Sequence, residues 1–121
     1  MTRCRLSAAL VVLVLLGTPW ADAAAQRTAA EVAAIRQRAE QGNAAAQSLL
    51  GFVYSAGQGV PQDYVEAHKW ANLAASRATF VDQKIYTEER DFRAKLMPRA
   101  QLAEAKRRAS EWQAAFDARQ E

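Results

Sequence analysis

Cysteine is almost absent: Cys4 is the only one in 121 residues. That excludes a disulfide framework and a cysteine-ligated zinc site. Histidine is just as scarce, with His68 alone. A metal site needs three or four ligands, so a lone histidine reads as a surface residue. No set of catalytic groups stands out. Gly57 and Gly59 lack the Lys-Ser/Thr that would make a phosphate loop, so no nucleotide cofactor is expected. Strand-like alternation is also missing. The longest apolar run, Leu6 to Leu16, is broken by Ser7 and falls short of the about 20 residues that span a bilayer. Net charge is only +3 and the signs are mixed. The single basic cluster, Lys106-Arg107-Arg108, reads as a solvated helix face rather than a nucleic-acid surface.

What is present begins with an export pattern. Arg3 and Arg5 make a basic start, the apolar run follows, and Gly17 and Pro19 end it. Ala21-Asp22-Ala23 and Ala23-Ala24-Ala25 both fit a small-residue cleavage site. Residues 1–25 are therefore expected to be a secretory signal peptide, cleaved near 23–25. The remaining chain, 26–121, is expected in the periplasm or outside the cell, touching the membrane only through the uncleaved signal. It would contain no cysteine, so helix packing alone must stabilise it.

The period of the apolar residues predicts five helices. Thr28 caps the first, with Glu31 three residues on, and Val32, Ile35 and Ala39 share a face. Gly42 ends it. The second runs from about Asn43 to Ala56 on Ala46, Leu50, Val53 and Tyr54. Gly51 inside it costs about 1 kcal/mol against alanine, which a close helix approach would explain. Gly57 and Gly59 open a loop, with Val60 tucked beneath. Asp63 and Glu66 form a capping pair for the third helix, whose Ala67, Trp70 and Ala74 lie together. Trp70 is expected to cover Ala46 and Gly51. A fourth helix, about Thr79 to Leu96, has the stripe Val81, Ile85, Phe92 and Leu96. After Pro98 a fifth carries Leu102, Ala105, Ala109, Trp112 and Phe116. Short connections make neighbours antiparallel.

The run Gly42 to Ala75 resembles the Sel-1-like repeat, a relative of the tetratricopeptide repeat. Ala46, Leu50-Gly51, Tyr54, Gly57-x-Gly59-Val60, Asp63, Ala67, Trp70 and Ala74-Ala75 carry the resemblance. One full repeat is identified at about 42–77, with flanking helices over 28–41 and 79–118 as caps. Met97-Pro98-Arg99 stands where small exported bacterial members have a hydroxyl residue before proline. The resemblance implies an all-α, right-handed stack of antiparallel helix pairs, a short α-α superhelical solenoid. It also implies a non-catalytic scaffold or adaptor that binds a protein or peptide. Cysteine-rich members have been linked to β-lactam binding, but their paired cysteines are absent here. Two alternatives stand beside the adaptor: an enzyme or accessory acting on cell-wall or β-lactam-like substrates, and a self-associating structural protein.

If a partner binds, the outward side of the second helix is the expected surface: Gln47, Ser48, Phe52 and Ser55. Phe52 reads equally as an exposed anchor or as packing on the first or fourth helix. Glu88, Glu89 and Asp91, beside Arg90 and Arg93, read as a salt-laced solvent face rather than a cation site.

Overall fold

The computed structural model describes residues 27–121. The expected signal peptide lies outside them. Five α-helices follow one another: α1 Ala29–Glu40, α2 Ala44–Ala56, α3 Tyr64–Arg77, α4 Phe80–Lys95 and α5 Arg99–Gln120. No strand occurs among the described residues. The fold is the all-α, helix-pair architecture expected from the sequence. No described helix is long and apolar enough to cross a membrane.

Local chemistry sets the ends. Thr28 Oγ1 accepts from the Glu31 amide at 3.2 Å, and Asn43 Oδ1 accepts from the Ala46 amide at 2.8 Å. These side chains satisfy amides that a helix start leaves unpaired. At the α1 end Gly42 takes a φ of +89°. Its amide donates to Ala39 O at 3.0 Å, and the Asn43 amide to Arg38 O at 3.2 Å. Those two bonds make a Schellman turn, which a residue without Cβ adopts freely.

Asp63 caps α3 by accepting from the Glu66 amide at 3.0 Å. The other half of the expected capping box is absent. The Asp63 amide donates to Tyr54 O instead, at 3.0 Å. Glu66 turns to Arg108 of α5, 2.8 Å away, and to Lys69, 3.3 Å away. A cation on a neighbouring helix outbids a local amide for this carboxylate.

The core joins Val32, Ile35 and Ala39 of α1, Leu50, Val53 and Tyr54 of α2, Ala67, Trp70 and Leu73 of α3, and Ala109 of α5. Val60 and Trp112 pack against it. Gly51 marks a close crossing of α2 and α3: a Cβ there would lie 3.0 Å from Ala67 O and 3.3 Å from Ala71 N. The close approach expected at Gly51 is present, but the α3 backbone makes it. Trp70 is wholly buried and meets Trp112 edge to face, with centroids 5.7 Å apart. Trp112 stacks on Phe116 at 5.0 Å and donates from Nε1 to Glu40 at 2.6 Å. Thus α5 reaches back to the end of α1.

No residue of α4 belongs to the core. Its only buried side chain is Arg93. Val81, Ile85, Phe92 and Leu96, the expected inward stripe, are exposed. The reason is topological. α5 packs on α3 and makes little contact with α4, so the apolar side of α4 has no helix to cover it.

Candidate functional site

Two depressions flank α4. The first is a groove of about 280 Å³ lined by Phe52, Ser55, Tyr64, Glu89, Phe92, Arg93 and Leu96. α2 supplies Phe52 and Ser55, three residues apart and so on one side of the helix. Phe92 and Leu96 approach from α4 with the four-residue spacing that aligns side chains along an axis. Phe52 is 46% exposed and Phe92 64%, so both rings offer faces to a visitor.

The groove has a charged floor. Arg93 is 7% exposed, and Nη1 makes no hydrogen bond. Its nearest carboxylate, Glu89, stands 3.8 Å away, beyond hydrogen-bonding range. Glu89 instead accepts from Ser48 Oγ at 3.1 Å. Burial lowers the Arg93 pKa, and Glu89 partly restores it. The guanidinium stays charged and incompletely paired beneath apolar rings.

Of the four expected contact residues, the structure brings Phe52 and Ser55 to the groove and removes the other two. Gln47 is fully buried and donates from Nε2 to Ala39 O at 3.1 Å. Ser48 is 9% exposed and is occupied by Glu89. α2 lies between α1 on one side and α3 on the other, and α4 reaches Ser48 through Glu89. Its free surface is therefore narrower than the helical wheel suggests. Ser55 Oγ bonds back to Phe52 O at 2.9 Å, so its hydroxyl is engaged locally.

The second depression, about 490 Å³, lies between α3, α4 and α5. It includes His68, which is 2% exposed rather than a surface residue. α3 is packed by α2, α4 and α5, so the flank beside the Trp70 stripe is covered as well. Burial chiefly, then Arg90, Lys106 and Arg93, push the His68 pKa down to about 4, while Asp91 opposes them. The ring is neutral near pH 7.

The acidic group on α4 is the expected salt-laced face only in part: Asp91 and Glu89 stand near arginines, Glu88 has no ion pair among the described residues, and Arg93 is buried rather than solvated. Arg90 binds Asp91 at 2.8 Å. No cluster of potential metal ligands occurs among the described residues. In the basic cluster of α5, Arg107 pairs with Glu104 and Glu111, and Arg108 with Glu104 and Glu66. The hydrogen bonds from Arg107 and Arg108 hold the Glu104 carboxyl down to about 2.

No curated protein and no solved structure matches the chain significantly. The description of the Sel1 repeat matches residues 44–78. That stretch contains α2, the Gly57–Gly59 loop and α3, with Gly51 at their crossing and Trp70 beneath α5. Residues 44–78 are therefore similar to a Sel1 repeat, the helix–loop–helix unit made by α2 and α3.

Proposed function

We propose that this protein is an exported, non-catalytic adaptor that holds an apolar segment of a protein partner in the groove between α2 and α4. The Sel1 repeat points to protein–protein interaction. The observation that carries the reading further is the row Phe52, Phe92 and Leu96, three large apolar side chains left exposed along one groove. Aromatic residues in such positions anchor interfaces, because they bury much area for little lost freedom. The basic, apolar, small-residue order of the first 25 residues supports export.

Capture from envelope extract with the mature protein as bait, followed by affinity measurement on the captured partner, tests this. Phe52→Ala and Phe92→Ala should each weaken binding by roughly tenfold or more, the loss typical of an interface anchor. Unchanged affinity in both variants would place the partner elsewhere. Self-association is a second reading, favoured by the exposure of Val81 and Ile85 on the same helix. A second copy seated there would make the protein sediment as a dimer, and Ile85→Lys would return it to a monomer.

A further inference from the structure

We propose that the cleft between α3, α4 and α5 binds a small organic monoanion through its carboxylate. This cleft shares no lining residue with the Phe52–Leu96 groove and does not depend on it.

Its walls follow from helical spacing. His68 and Asn72 on α3, Arg90 and Ala94 on α4, and Leu102, Lys106 and Ser110 on α5 are each four residues apart and align along their helices. α4 and α5 both lean on α3 but scarcely touch each other, which leaves the space between them open. About 490 Å³ falls within the range of small-molecule sites, roughly 300–1,000 Å³.

The charge balance selects the ligand. Asp91 is held by Arg90. Lys106 has no salt-bridge partner among the described residues. With His68 neutral, the lining carries one uncompensated positive charge. A monoanion balances it; a dianion overshoots, and a neutral ligand leaves Lys106 as it is. Behind burial, Arg90, Lys106 and Arg93 each disfavour protonation of the imidazole, with Asp91 opposing them. α2, the remaining helix packed against α3, contains no charged residue.

Hydrogen-bonding capacity is also unspent. His68 Nδ1 is buried without a partner. A buried polar atom left unpaired is uncommon and calls for a physical reason. Here a ring not fixed by an Nδ1 bond can reorient toward a bound anion. Asn72 and Ser110 add neutral donors. Ala94 and Leu102 offer apolar walls to the ligand's carbon body.

His68 is the only histidine, so its imidazole Cε1–H resonance is a single reporter inside the cleft. The mature protein would be titrated at pH 7 and constant ionic strength with N-acetylalanine and, separately, with its neutral amide. The acid should give a saturable shift and the amide none. Lys106→Gln should weaken the acid by roughly tenfold or more, the loss of one charged hydrogen bond, and Lys106→Arg should retain it. Lys106 is exposed, so an unchanged melting curve is expected for both variants. Equal responses to acid and amide, or undiminished binding by Lys106→Gln, overturn the proposal. Tighter binding of inorganic phosphate than of the acid overturns the monoanion assignment.

Discussion

α3 and α4 are adjacent helices of similar length with opposite fates. α3 has helices on three sides, and even its histidine is buried. α4 packs chiefly on α3, keeps an arginine inside and turns its phenylalanines and isoleucine outward. The same apolar period is present in both sequences. An apolar stripe forms core only where the topology supplies a partner helix. In α4 it remains free for an external one.

Four measurements press on that contrast. Trp70→Ala should cost the most, about 3–5 kcal/mol, since it removes a fully buried ring and leaves Trp112 without its edge-to-face neighbour. Denaturant unfolding would show it. If the loss were below 1 kcal/mol, α3 would not be the centre of the fold.

His68 comes next. Its folded pKa of about 4 lies below the ordinary 6.5, so the unfolded chain takes up the proton first as pH falls. Stability tied to this group is present above pH 6.5 and is lost between 6.5 and about 4. The loss is on the order of 3 kcal/mol. Urea midpoints across that range should fall more gently in His68→Gln; parallel profiles would mean the imidazole is not buried neutral.

Gly51→Ala should destabilise by up to about 2 kcal/mol. Overpacking against the α3 backbone, about 1–3 kcal/mol, outweighs the about 1 kcal/mol gained in helix propensity. A stabilised variant would show that α2 and α3 can move apart. Smallest is Phe92→Ala, within about 0.5 kcal/mol of the parent, because its ring is mostly in solvent. A thermal melt matching the parent, alongside weakened partner binding, would separate the two roles of an apolar residue on α4.

Legibility in the sequence followed range. Caps at Thr28 and Asp63 and the turn at Gly42 depend on residues within about one helical turn, and each is where its local pattern implies. The Glu66 side chain departs because its partner, Arg108, lies two helices away. Phe52, which the sequence reads equally as an exposed anchor or a packing residue, is 46% exposed. Gln47 and Ser48 were misplaced outside because their burial is set by Ala39 O and Glu89, neither of them on α2. For the cleft around His68, spacing within each helix gave no sign that three polar stripes converge.

Trp112 has a consequence for how this architecture can grow. Through it α5 touches α3 at Trp70 and α1 at Glu40, while Phe116 lies over Gly42. A helix pair inserted after Arg77 would carry α5 away from both Glu40 and Gly42. The last helix therefore acts as a gauge: its aromatic reach fits an array of one repeat, and a longer array would need a different final helix.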